Sequence, residues 1–215
     1  VDFNYKSLKI NKITAINKES SLEWIYLSKN YYPNEKAKKA FYDHRLNEMY
    51  SISEDVKRKV EVFTKLNDEG IPVMSKPGKS FAVLPMGVSL PFNLNVQADC
   101  LVDKKRKNTL ENNEWHRMIV QQIPILLAGF LKWSTENSEL DENFDPSKIL
   151  DIYKCLPNFN SEETIISSWF DDNFKKILKN EIEDLKILPV LKQEGYRYIS
   201  AKKAIFLQSI YDNLI

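Results

Sequence analysis

The run Phe81–Trp133, FAVLPMGVSLPFNLNVQADCLVDKKRKNTLENNEWHRMIVQQIPILLAGFLKW, decides how the chain is read. It opens with short apolar and aromatic runs bounded by proline and glycine, which favours strands over helix. Phe81–Leu84 reads as one strand ending at Pro85. From Leu90 to Val102 every second residue is apolar (Leu90, Phe92, Leu94, Val96, Ala98, Cys100, Val102). Asn93, Asn95, Gln97 and Asp99 fall between them, so this run predicts a strand with one buried face. A basic turn follows, Asp103-Lys104-Lys105-Arg106-Lys107-Asn108. From Trp115 the apolar residues recur at helical spacing through Leu131, with Asn112 or Asn113 placed to cap the start and Pro124 placed to kink the helix.

Working outward, Lys6–Ile16 and Ser21–Ser28 read as two strands joined by a turn at Asn17–Ser21. Residues 31–58 are polar and helix-friendly, with Ala37, Ala40, Phe41, Arg45 and Leu46 as a weak stripe. Residues 59–68 alternate as a strand and turn at Asp68-Glu69-Gly70, and 71–78 form a loop. The acidic, apolar-poor 134–148 reads as a boundary. Helices are expected at 149–156 and from Ser161 through Leu185, a hairpin near 188–199, and a last helix from Ala201. The expected fold is α+β: a mixed sheet with packed helices over 1–135, then a mainly helical segment over 136–215 that carries the small hairpin.

The 215 residues, 43% hydrophobic and 28% charged, suit one or two globular domains. A net charge of +1 gives no global field to attract nucleic acid, so any basic function is a local patch. Five glycines argue against Gly-rich phosphate loops, and no Walker loop, dinucleotide fingerprint, nucleophile elbow or zinc finger is present. The apolar run Ile123–Leu131 is too short to span a bilayer, and no signal peptide is expected ahead of Val1. Two cysteines in no shared motif, Cys100 and Cys155, fit a reducing, cytoplasmic setting. The first residue is not methionine, and the expectation is a piece of a longer protein.

The order of these motifs resembles the segment that follows the ATP-binding domain in sacsin-like and NO VEIN-like proteins. These are distant relatives of the ninety-kilodalton heat-shock chaperone, within the GHKL ATPase superfamily. The matching pieces are Leu84-Pro85, Leu90-Pro91-Phe92, Gln97-Ala98-Asp99, Asp103 to Asn108 and Glu114-Trp115, with Trp24–Ser28 and 187–205 similar to further elements of the group. The resemblance implies a chaperone middle-domain, or transducer-like, role. ATP and Mg would be held mainly by a preceding domain, and none would be bound by this segment alone. Arg106 would be the catalytic contact to the γ-phosphate, with Lys105 and Lys107 as further cofactor-binding residues. Where the family has a serine pair before the arginine, this chain has Lys104-Lys105, and Lys107 follows it. The resemblance also implies a homodimer or larger assembly and a client protein or nucleic acid as partner. By association it implies a bacterial defence or restriction setting.

The residues by themselves carry plainer readings. A basic turn that caps a strand is ordinarily just solvated. Read as a nucleic-acid patch, Lys104, Lys105, Arg106 and Lys107 are few enough for only weak, salt-sensitive binding. Tyr31, Tyr32, Phe41 and Tyr42 among Lys36, Lys38, Lys39 and Arg45 could stack bases, although such rings usually pack. His44 and His116 lack a second metal ligand at helical spacing. Cys100, on the core face, reads as an inert thiol. Acidic pairs such as Asp171-Asp172 belong to helix starts or solvated faces. The competing functional class is a non-catalytic adaptor that binds protein or nucleic acid.

Overall fold

A computed structural model of the chain describes residues 5–16, 21–45, 57–74, 76–82, 84–102, 113–139, 151–157, 170–191 and 196–203. Alternation between apolar and polar residues governs the first half. β1 (Lys9–Ile16) and β2 (Ser21–Tyr31) pair antiparallel, with Ile16 opposite Ser21. β2 pairs with β3 (Arg58–Lys65), which in turn pairs with β6 (Asn95–Gln97). β4 (Lys79–Ala82) runs parallel to β6 and forms a hairpin with β5 (Leu84–Ser89). The result is one mixed six-stranded sheet in the order β1-β2-β3-β6-β4-β5. The α+β class read from the sequence, a mixed sheet with packed helices, is therefore correct.

Two strand boundaries differ from expectation. Pro85 does not end a strand: it sits inside β5, opposite Phe81. β5 is an edge strand, where a residue without an N–H does not break the ladder. In the Leu90–Val102 run only Asn95–Gln97 joins the ladder, yet the side chains alternate as expected, with Leu90, Phe92, Leu94, Val96, Ala98 and Cys100 all buried. Just before this ladder, Gly78 is pressed against the run. Its N–H donates to Phe92 O (2.7 Å) and its carbonyl accepts from Leu90 N (2.9 Å). A Cβ at Gly78 would lie 1.7 Å from Leu94 O, so only glycine permits this approach.

α1 (Glu35–Arg45) buries Ala37 and Phe41, two members of its expected stripe. After the basic turn come α2 (Glu114–Val120) and α3 (Ile123–Glu139). The expected kink at Pro124 is a break into two helices. Proline has no N–H to return to Val120, and its ring crowds that carbonyl, but it is well suited to the first turn of a new helix. Residues 134–139, expected to begin a boundary, are the last turns of α3. There Asn137 Nδ2 donates to Trp133 O (2.7 Å), and Lys132 pairs with Glu136 one turn on.

α3 is buried nearly all round, with Ile123, Leu126, Leu127, Phe130 and Leu131 fully enclosed. One side lies on β2 and β3, and a Cβ at Gly129 would meet Leu8 Cδ1, from the residue before β1, at 2.3 Å. The other side meets α4 (Asp172–Ile182) and β7 (Lys186–Leu191), which forms a hairpin with β8 (Tyr196–Ser200) close to the expected position. Asp171 caps α4 by accepting from Phe174 N (2.9 Å), as its acidic pair suggested. A single hydrophobic cluster runs from Leu8 to Ile187, through both sides of residue 135. Tyr5 Oη and Lys6 Nζ reinforce it by donating to Glu181 on α4, at 2.9 and 2.6 Å.

The sheet's other face carries a separate aromatic group. Tyr26 stacks on Phe63 (4.9 Å between centroids, 14° between planes), while Trp24 and Phe81 lie 6.0 and 5.4 Å from the same ring. Among the described residues no helix is long and apolar enough to cross a membrane.

Candidate functional site at the root of the basic turn

Lys105, Arg106 and Lys107, the expected phosphate contacts, lie in 103–112, outside the described residues, as does Lys104. The structure does describe both ends of the chain that carries them. Asn113 adopts extended backbone and accepts from Trp115 N (2.8 Å), which fixes where α2 begins and selects Asn113 from the two candidate caps. The first turn of α2 then reaches back to the strand side. Trp115 Nε1 donates to Asp99 O at 2.6 Å, and the Leu101 amide donates to His116 Nε2 at 2.9 Å. Two hydrogen bonds thus clamp 99–101 to 115–116. The His116 nitrogen that accepts carries no proton. This histidine is buried and structural.

A second set of contacts fixes this clamp to the sheet. β3 places Arg58 on the core face, in phase with Val60 and Val62 and directly opposite Tyr31 on β2. Its Nη1 donates to Asp99 Oδ2 at 3.0 Å, and its guanidinium lies 5.6 Å from the Trp115 ring and 6.0 Å from Phe41. Phe41 and Trp115 touch with centroids 4.5 Å apart. Cation and rings together hold the indole in place. Tyr31 Oη and Arg58 Nε are buried without hydrogen-bond partners among the described residues. Burial, then the Asp99 and Cys100 charges, push the Tyr31 phenol above its usual range.

Cys100 confirms the inert reading: burial, then Asp99, pushes its thiol up to about 12. Burial also raises Cys155. Among the described residues no group of three or more His, Cys, Asp or Glu is placed to hold a metal ion. Of the aromatic candidates in 31–45, Tyr31 and Phe41 are buried as packing, while Tyr32 is exposed. Arg58 and its pairing with Asp99 went unread in the sequence. The signal was an arginine in phase with the buried valines of a strand, which obliges a buried partner.

Comparison of the chain with protein-family models, with curated proteins and with solved structures found no match.

Proposed function

We propose that this chain is the transducer-like segment of a sacsin-like or NO VEIN-like ATPase, in which a preceding domain holds ATP and Mg and Arg106 senses the γ-phosphate. A guanidinium suits that task because its planar donors engage two phosphate oxygens at once. Lys105 and Lys107 add positive charge beside it. The observation that carries the reading is the double clamp at the foot of the turn. The residues that flank it, Asp99 and Leu101 on one side and Trp115 and His116 on the other, are tied to each other and, through Arg58, to β3, so a load that reached them would pass to β6, α2 and β3. A pull on Arg106 would in this way reach the sheet and the helices behind it.

The test is nucleotide binding and turnover in the protein that contains this chain, with Arg106→Ala. Retained binding with turnover lowered about tenfold or more, or 1.4 kcal/mol in barrier, supports the role. Unchanged turnover, or no ATP binding at all, removes it. The adaptor reading draws on a separate observation, the aromatic face of the sheet.

A further inference from the structure

The sheet face opposite α3 combines rings and cations that nucleotide sensing does not use. Along β2 the alternation that sends Ile25 and Leu27 into the core turns Trp24 and Tyr26 the other way. Phe63 on β3 is buried beneath its neighbours, while Trp24, Tyr26 and Phe81 stay partly exposed around it. The register brings Lys9, Lys59, Lys65 and Lys79 to this face, all four exposed. Glu61 is the one carboxylate that the strands place there, and Lys59 neutralises it at 2.8 Å. Lys9, Lys65 and Lys79 have no ion-pair partner among the described residues. Asn95 and Gln97 lie on β6 between the rings, with Asn95 Oδ1 accepting from the Lys79 N–H at 3.0 Å.

We propose that this face binds single-stranded nucleic acid, with bases stacked on Trp24, Tyr26 and Phe81 and phosphates drawn to Lys9, Lys65 and Lys79. Every base offers a π-face, so partly exposed rings amid lysines bind single strands with little sequence preference. Charge selects the occupant. A face with three unpaired lysines and its one carboxylate neutralised complements a polyanion and repels a second copy of itself. The amide of Gln97 adds hydrogen-bonding capacity toward base edges. A duplex, whose bases are already stacked on one another, fits the platform less well. This proposal does not depend on the role of Arg106.

The test is fluorescence anisotropy of the 215-residue chain with a labelled oligothymidylate of about 15 nucleotides, and with the matching duplex. The expected result is preference for the single strand, with a log–log salt slope of about −2 from three neutralised phosphates. Tyr26→Ala or Trp24→Ala should weaken binding about fivefold or more. Lys65→Glu with Lys79→Glu, both exposed and so neutral for folding, should remove binding at physiological salt while Tm stays the same. The double lysine variant decides the matter if an aromatic variant fails to fold. Three results would overturn the proposal. One is no binding at low salt. Another is binding indifferent to Lys65 and Lys79 but lost on reversing Lys104, Lys105 and Lys107. The third is a dimer in sedimentation that Tyr26→Ala dissociates, which would assign the face to a second copy.

Discussion

Trp115 makes one hydrogen bond that phenylalanine could not, and this gives the root of the turn a clean test. Trp115→Phe keeps most of the ring against Phe41 and Arg58 but leaves Asp99 O without its donor. The expected loss is about 1–3 kcal/mol of stability by urea denaturation, and an unmoved midpoint would show that the clamp contributes nothing. The buried thiols and phenols set a pH dependence. Burial is the leading cause of the raised values of Cys100, Cys155, Tyr5, Tyr31 and Tyr153. Their folded values lie above the unfolded ones, so the neutral forms favour the native state. That contribution is whole below the ordinary cysteine value of 9.0 and is lost as pH rises, for Cys100 through about 12. Denaturation midpoints should therefore fall steadily above about pH 9, and a flat profile into the alkaline range would contradict the burial of these groups. For the same reason Cys100 and Cys155 should react with a thiol reagent at neutral pH only as fast as the protein opens. At this scale the sequence was partly legible. Cys100 could be placed inside from its strand phase alone. The phase of Arg58 signals a partner, but which one could not be read, because Asp99 is 41 residues away.

Among the elements, the two tight glycines separate backbone constraint from side-chain constraint. At Gly78 an added Cβ meets the carbonyls of Leu94 and Phe92, which are fixed by the chain path, whereas at Gly129 it meets the end of the Leu8 side chain. Gly78→Ala should cost about 1–3 kcal/mol or more. Gly129→Ala should cost clearly less, since Leu8 can turn aside and alanine regains about 1 kcal/mol of helix propensity. Equal losses in thermal melts would overturn this ranking. Phe130→Ala, at a fully enclosed position of α3, should cost about 3–5 kcal/mol. Element identity was legible where periodicity is local: β1, β2, β3, the hairpin of β7 and β8, and a cap at Asn112 or Asn113 all follow from nearby residues. The parallel contact of β6 with β4 was not, because it joins segments whose pairing no local pattern encodes. The length of α3 was missed because Ser134, Thr135 and Asn137 look like loop residues. In the structure Ser134 and Thr135 are buried, and Thr135 and Asn137 hydrogen-bond to carbonyls of their own helix.

Across the whole molecule, one core joins the sheet to the C-terminal α4 and hairpin, with α3 as the shared inner helix. That construction suits a part that passes displacement on, since a load on the clamp is shared by the sheet and the helices packed on it. The residues proposed to receive the load, Lys105, Arg106 and Lys107, lie outside the described residues and are proposed from the resemblance alone. A short basic turn carries no pattern that distinguishes a phosphate contact from a solvated loop. The deciding measurement is ATP turnover, with nucleotide affinity alongside, for the protein that contains this chain and for its Arg106→Ala, Arg106→Lys and Trp115→Phe forms. Affinity should survive in all of them, and turnover should fall about tenfold or more in Arg106→Ala. Arg106→Lys should stay well below wild type, because one ammonium cannot replace a planar fork. Trp115→Phe should fall between, as the turn loses part of its anchor. Turnover that stays at the wild-type level in both Arg106 variants would contradict the central claim and leave the chain as a binding module.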